Sequence, residues 1–152
     1  MKYYLLIFIF LNISFSAICQ SENIKYNKVL ADSLGGDDYG MKSYVLVILK
    51  SGPNKMNDKN VLDSLFKGHM ENIGRLAASG KLIVAGPLGK NDLTYRGIFI
   101  LNVKSISEAN ILLETDPTIK EKVLSAEVFN WYGSAALPTY LPNHEKIEKK
   151  KM

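Results

Sequence analysis

Two residues of this sequence combine an acid–base side chain with a position that favours proton transfer, and the first of them is His69. Apolar residues recur at helical spacing around it, as in a helix with one buried face: Leu62, Leu65, Phe66, Ile73, Leu76 and Ala77. His69 lies in the middle of this face, one heptad from Leu62 and one from Leu76. An imidazole in this position can act as a general acid or base near neutral pH. It can equally be a hydrogen-bonded histidine of the core.

The second residue is Asp116, which we place at the C-terminal end of another helix, directly before Pro117. Because proline disfavours a helical residue before it, the chain is expected to leave the helix here and turn back toward the sheet. A carboxylate at this turn can orient a histidine and stabilise its charged form. It can also cap the short helix that Pro117 begins, and the two roles are compatible.

Other patterns that carry chemistry are incomplete in this sequence. Residues 74–81, GRLAASGK, resemble a phosphate loop, but their spacing is one residue too long and no Ser or Thr follows the lysine. The motifs G-x-G-x-x-G and G-x-S-x-G are absent. The only histidines are His69 and His144, and the only cysteine is Cys19, so we expect no metal site.

The N-terminus predicts export. Lys2 is followed by a long apolar run and then by small residues, which is the layout of a secretory signal peptide. Ala17 and Cys19 have the spacing of a cleavage site, so we expect removal of residues 1–19 and a mature chain that begins at Gln20 in the periplasm or outside the cell. After this cleavage no membrane segment is expected. The second possibility is a lipoprotein modified at Cys19, which Ile18 disfavours. The third is an uncleaved membrane anchor.

The charge pattern argues against a nucleic-acid partner. The chain has 19 Lys and Arg against 15 Asp and Glu, a net charge of +4, and much of the excess lies in the last residues, HEKIEKKKM. The other basic residues are scattered and are not interleaved with aromatic residues. We therefore interpret the basic end as a solvated tail.

The elements that position His69 and Asp116 follow the order β-α-β-β-α-β. The predicted strands cover residues 43–49, 82–86, 97–103 and 126–132, and the long helix covers about residues 58–79, from an Asp58 N-cap to Gly80. A capping box formed by Ser105 and Glu108 opens the second helix, whose inner face is predicted to be Ile106, Ala109 and Leu113. A polar lead-in, residues 20–41, has one helical turn near residues 29–34, and residues 134–152 are predicted to form an extended basic arm.

This order predicts a ferredoxin-like α+β sandwich, with an antiparallel sheet and both helices on one of its faces. Strands as apolar as residues 82–86 and 97–103 are not expected to leave the other face in water. We therefore expect a homodimer that packs through this face, and the C-terminal arm is the alternative cover.

An ordered set of motifs runs through these elements. It comprises H-x-x-x-I-x-x-L-x-x-x-G-K-L from His69, A-G-P at 85–87, R-G-I-F at 96–99, S-x-x-E-A at 105–109, Asp116-Pro117 and the terminal Trp131-Tyr132. The set resembles the YciI-like (YCII-related) family of the dimeric α/β-barrel superfamily over residues 42–133. The lead-in is similar to that of a secreted bacterial branch.

The resemblance implies a subunit whose sheet packs on a partner's sheet, and a pocket that holds a His–Asp pair proposed as catalytic, here His69 and Asp116. It also implies small organic ligands, often aromatic or chlorinated, and no metal or organic cofactor. Relatives commonly carry an arginine shortly before the histidine. Here Lys67 is the nearest cation, and Arg96 is the other candidate to hold an anionic or phenolic group.

Trp131 and Tyr132 are candidates to stack on an aromatic ligand, although packing in the core or at its rim is the simpler role, above all for Trp131.

Three functions stay open. The protein is an enzyme that uses His69 as its acid or base, or a module that binds a small molecule without turnover, or a structural protein in which His69 and Asp116 tie a helix to a loop.

Overall fold

The computed structural model of the protein describes residues 23–150. The predicted signal peptide, Cys19 and the cleavage point at Gln20 lie outside these residues. Within the described part, no helix is both long enough and apolar enough to cross a bilayer.

A four-stranded antiparallel sheet forms the centre of the fold. Its strands are β1 (Met41–Ser51), β2 (Leu82–Pro87), β3 (Tyr95–Leu101) and β4 (Leu124–Ser134), in the spatial order β2-β3-β1-β4. The predicted α+β class and antiparallel sheet are confirmed. β1 and β4 are longer than predicted, because they pair with each other continuously from Met41↔Ser134 to Ser51↔Leu124.

The helices are α1 (Lys28–Leu34), α2 (Lys59–Ala78), α3 (Ile106–Leu113), α4 (Pro117–Lys120) and α5 (Leu141–Ile147). The predicted ends of α2 are confirmed. The Asp58 side chain accepts hydrogen bonds from the first backbone N–H groups of the helix, and Gly80 takes a left-handed φ of 68° just after it. The Ser105 hydroxyl likewise accepts from the N–H of Glu108 at the start of α3.

The core lies between α2, α3 and one face of the sheet. Its buried members include Val45, Val47, Leu49, Leu76, Phe99, Leu101, Ala109 and Leu113. The prediction that Ile106 belongs to the inner face of α3 was wrong, since this residue is 38% exposed. It is the first residue of the helix, and the inward face is formed further along by Ala109, Leu112 and Leu113.

The opposite face of the sheet has no long helix among the described residues. Its apolar side chains are Leu46, Ile48, Ile98, Ile100 and Phe129, which alternate along the strands with the core residues. They are only partly buried, and Phe129 is 46% exposed. At one end of this face the rings of Tyr44 and Trp131 lie 5.6 Å apart, and Tyr44 is fully buried.

The segment after β4 is helical, which corrects the prediction of an extended arm. A 3-10 helix, Leu137–Tyr140, leads directly into α5. Pro138 and Pro142 both stand in the first turn of their helix, where proline is favoured because its missing N–H has no helical partner to lose. The Tyr140 hydroxyl donates to the carbonyl oxygen of Ile83 in β2. Since β2 and β4 are opposite edges, this segment crosses the sheet.

Candidate active site

His69 and Asp116 are in direct contact. His69 lies on the inward face of α2, and Asp116 lies at the junction of α3 and α4, where Pro117 has ended the first of these helices. Nδ1 of His69 is 2.6 Å from Oδ2 of Asp116, and the side chains are only 10% and 1% exposed. The predicted position of each residue on its element therefore brings the two side chains together.

The second oxygen of the Asp116 carboxylate is held by Thr118. Oδ1 accepts hydrogen bonds from the backbone N–H of Thr118 at 2.9 Å and from its hydroxyl at 2.6 Å, so that Asp116 is the N-cap of α4. Burial would raise the pKa of the Asp116 carboxyl, but the hydrogen bonds from His69 and Thr118 outweigh it and hold this pKa below its usual value. The carboxylate therefore stays ionised at neutral pH.

This pairing defines which nitrogen of His69 is available. An ionised carboxylate can only accept hydrogen bonds, so Nδ1 of the imidazole carries the proton that is donated to Asp116. Nε2 then holds the free lone pair. Among residues 23–150, Nε2 has no hydrogen-bond partner. Every fully buried side-chain nitrogen or oxygen in this part of the chain does have a partner, so the unpaired Nε2 is not fully buried and can be reached from the pocket. A neutral imidazole in this form can take up a proton, and Asp116 stabilises the resulting imidazolium.

Two phenylalanines fix the plane of the imidazole. The ring of Phe66 meets it edge-on, with centroids 6.1 Å apart, and the ring of Phe99 is stacked on it at 6.0 Å. These contacts, together with Asp116, hold the ring from three directions.

His69 opens into a pocket of about 350 Å³ between α2 and the β2–β3 side of the sheet. Its walls are mostly apolar, and they include Leu49, Phe66, Met70, Ile73, Phe99 and residues 85–87. The volume lies at the small end of the range for ligand sites. Asp116 stands behind His69 and does not line the pocket, so a ligand would meet the imidazole and not the carboxylate.

Arg96 reaches the same pocket because β3 contains a β-bulge. The register pairs Leu49 with Gly97 but Lys50 with Tyr95, which leaves Arg96 as the extra residue. In a regular strand Arg96 would share the face of Ile98, away from the helices. At the bulge Arg96 instead lines the pocket together with His69. Within residues 23–150 the guanidinium has no ion-pair partner, so it is free to bind an anionic group.

Three other predicted ligand-binding residues lie elsewhere. The Lys67 side chain is 79% exposed on the outer side of α2, with Nζ 3.9 Å from a Glu71 oxygen. Trp131 packs against Tyr44 on the opposite face of the sheet. The hydroxyl of Tyr132 donates to Asp37 in the lead-in. In the described chain, none of the three lines the pocket.

The sequence interpretation missed Thr118, which is fully buried beside Asp116. A signal for it was present, because a residue two positions after a capping aspartate supplies the N–H that the cap binds. Threonine at that position can add its hydroxyl to the same oxygen.

A second cavity, of about 420 Å³, lies between α3 and β4, where Asn110, Glu114 and Lys122 contribute its polar groups. It is shallower, and neither His69 nor Arg96 lines it. In the described part of the chain, no group of three or more His, Cys, Asp or Glu side chains is placed to bind a metal ion. The pocket at His69 is therefore the better candidate for chemistry.

Comparison with known proteins does not assign the chain to a family. No protein-family model matches the chain, and no curated protein matches it. The solved structures that resemble it include 5-chloro-2-hydroxyhydroquinone dehydrochlorinase (TftG) from Burkholderia phenoliruptrix AC1100, in complex with 2,5-dihydroxybenzoquinone. That match has 23% identity and a TM-score of 0.44, and it covers 58% of this chain and 92% of the other. A likeness of this size does not establish a shared family or activity.

Proposed function

We propose that this chain is an exported YciI-like protein whose pocket binds a small organic molecule and transfers a proton to or from it through His69. The observation that carries the proposal is the orientation of His69, whose Nδ1 is bound to Asp116 while Nε2 is left for a ligand. A histidine that served only to tie a helix to a loop would not need an accessible second nitrogen beside an apolar pocket.

The proposed proton transfer uses only side chains of the protein and the ligand. Nε2 takes a proton from an acidic group of the ligand, the imidazolium is stabilised by the Asp116 carboxylate, and the proton then returns to another atom of the ligand or to water. The conjugate base of the ligand carries a negative charge. Arg96, the cation in the lining of the pocket, is placed to stabilise that charge.

The walls of the pocket favour a compact apolar ligand. Phe66, Met70 and Phe99 offer aromatic and thioether surface, and the guanidinium of Arg96 provides one polar contact for a phenolate or carboxylate. Binding without turnover is the second candidate, and the unpaired guanidinium of Arg96 is what favours it. The two candidates differ in whether His69 changes its protonation state during a reaction.

We further propose that the protein is a homodimer packed through the sheet face that carries Leu46, Ile98 and Phe129. The partial exposure of these side chains supports this, since a monomer would leave an apolar sheet face in contact with water.

Export rests on the first twenty residues of the sequence, and the intact mass of the protein from its host would test the cleavage after Cys19.

The test of ligand binding compares one variant of Arg96 with one variant of Lys67. A panel of small phenols and aromatic carboxylates is screened by thermal shift, and the dissociation constants of the best compounds are measured by calorimetry. Arg96→Gln should weaken binding about ten- to a hundredfold, as expected for the loss of a charged hydrogen bond. Lys67→Gln removes the same charge from a side chain outside the pocket and should change little. Equal losses in both variants, or no binding by any compound, would count against the proposal.

A second measurement separates turnover from binding. If a bound compound is converted, the pH dependence of its rate should show a group that must be unprotonated, and His69→Asn should remove the rate while leaving binding nearly intact. Binding that persists with no conversion at any pH would favour the second candidate.

A further inference from the structure

A closed triangle of hydrogen bonds lies one helical turn away from the His69–Asp116 contact. Oδ1 of Asn72 accepts from Nη2 of Arg75 at 2.5 Å, and the same Nη2 donates to Oγ1 of Thr115 at 2.8 Å. The one proton of the Thr115 hydroxyl is shared between Oδ1 of Asn72 at 3.0 Å and the carbonyl oxygen of Leu112 at 2.6 Å. None of the three residues lines the pocket. Asn72 and Arg75 belong to α2, whereas Thr115 directly precedes Asp116.

The triangle makes α2 meet the α3–α4 junction at two consecutive residues. Asp116 contacts His69, and Thr115 contacts Asn72, three residues further along α2. Three residues of α2 rise about 4.5 Å, which is close to the distance of about 3.8 Å between the Cα atoms of Thr115 and Asp116. The two contacts can therefore form side by side along α2. The second contact adds a restraint on the position of the junction along α2 and on its rotation about the first contact.

Packing does not require this triangle. Asn72 is buried on the same face of α2 as Leu76, where an apolar side chain would need no partner. Arg75 and Thr115 are both exposed, so water would satisfy them if the triangle were absent. A buried amide that is bonded in a defined direction adds orientation, because leaving its oxygen unpaired would be costly.

We infer that Asn72, Arg75 and Thr115 are positioning residues that hold Oδ2 of Asp116 against Nδ1 of His69. They touch neither the pocket nor a ligand, and they act through the placement of the Asp116 carboxylate. The catalytic consequence of this inference rests on the proposed function, but the placement itself can be measured without any ligand.

The measurement is made by NMR on the full, ligand-free protein with ¹⁵N-labelled histidine. His144→Asn is used as the background, so that His69 gives the only imidazole signals. The readout is the Nδ1–H resonance of His69 and the rate at which this proton exchanges with water. A proton held between Nδ1 and a carboxylate is expected to be shifted downfield and to exchange slowly.

Thr115→Val should accelerate this exchange about tenfold, which corresponds to a loss of about 1.4 kcal/mol at 298 K. Thr115→Ser keeps the hydroxyl and should restore the original rate. The matched control is Thr139→Val, which removes an exposed hydroxyl that donates to the carbonyl of Ala136, far along the chain from the site. This control should leave the exchange of His69 unchanged.

Asn72→Leu is the second variant, because it replaces the buried amide with an apolar group and is expected to fold. It should accelerate the exchange as Thr115→Val does. Unchanged exchange in both variants, or an acceleration in Thr115→Ser equal to that in Thr115→Val, would overturn the inference. Since no ligand is present, the inference can fail while the proposed function holds, and it can succeed if no ligand is ever converted.

Discussion

Gly68 and Pro117 touch without any room for a side chain between them. A Cβ atom on Gly68 would lie 2.8 Å from Cγ of Pro117, closer than carbon atoms approach one another in folded proteins. Gly68 directly precedes His69, and Pro117 directly follows Asp116. The missing side chain of Gly68 therefore lets the ring of Pro117 approach α2 directly beside the 2.6 Å contact between the imidazole and the carboxylate.

Gly68→Ala should push α4 away from α2 and destabilise the protein by about 1–3 kcal/mol, as overpacking does in other cores. Gly74→Ala is the matched control, because it lies on the same helix and its new Cβ would meet nothing within 4 Å. This control should stabilise the protein by about 0.5–1 kcal/mol, since alanine favours a helix more than glycine does. Urea denaturation of both variants measures the difference. If Gly68→Ala were as stable as Gly74→Ala, the close approach would not constrain the site.

His69→Asn should retain the fold and lose any proton transfer, because an amide can hydrogen-bond to Asp116 but cannot accept a proton at neutral pH. The control is His144→Asn, in the exposed helix α5, which should change neither property. Circular dichroism and the rate of conversion of a bound compound are the measurements. An unfolded His69→Asn protein would instead assign the histidine a structural role.

Asp116→Asn should weaken the dependence of stability on pH. Asparagine also caps helices well, so its oxygen can keep the hydrogen bond from the Thr118 N–H. Its NH2 group then replaces the oxygen that accepts from Nδ1 of His69, so both the charge and that charge-assisted hydrogen bond are lost. The pKa of the Asp116 carboxyl is lowered in the folded protein, below about 3.9 for an unfolded aspartate. The folded state therefore gains stability from this group above about pH 4, and that gain is lost as the pH falls through the folded pKa.

The free energy of unfolding of the wild type should accordingly exceed that of Asp116→Asn by about 1.5–3 kcal/mol at pH 7, the range for hydrogen bonds to charged groups. The difference should shrink as the pH is lowered below about 4. Denaturant titrations at several pH values provide the comparison. A difference that stays constant with pH would mean that the charge of Asp116 does not contribute.

Phe129→Lys should dissociate the proposed homodimer, because it places a charge on the apolar sheet face. The control is Ile111→Lys, which changes a more exposed residue of α3, on the side of the sheet that bears the helices. Light scattering at micromolar concentration should give a dimer for the wild type and for the control, and a monomer for Phe129→Lys. A monomeric wild type would contradict the proposal directly.

Much of the fold was predictable because local signals agreed with one another. Asp58 and Gly80 mark the two ends of α2, the Ser105–Glu108 capping box marks the start of α3, and apolar runs mark each strand. The same signals place His69 inward and Asp116 at a turn. Their contact was predictable because the helix and the turn pack on one side of the sheet.

The rest depends on features that have no local signal. The β-bulge at Arg96 is a property of the register between β1 and β3, and it cannot be derived from β3 alone. The partnership of Asn72 with Thr115 joins residues 43 positions apart. Residues 134–152 are predicted to form an extended arm, whereas Pro138 and Pro142 each stand in the first turn of a helix.

At the bulge, the side chain of residue 96 is subject to ligand recognition without also having to pack in a layer of the fold. A residue in regular alternation belongs either to the core or to the opposite face, so exchanging it disturbs packing. Arg96 is the extra residue of β3, it is exposed, and it lines the pocket. This position can therefore accept a neutral, acidic or aromatic side chain without altering either layer. Relatives of this protein could change what they recognise here while His69 and Asp116 stay where they are.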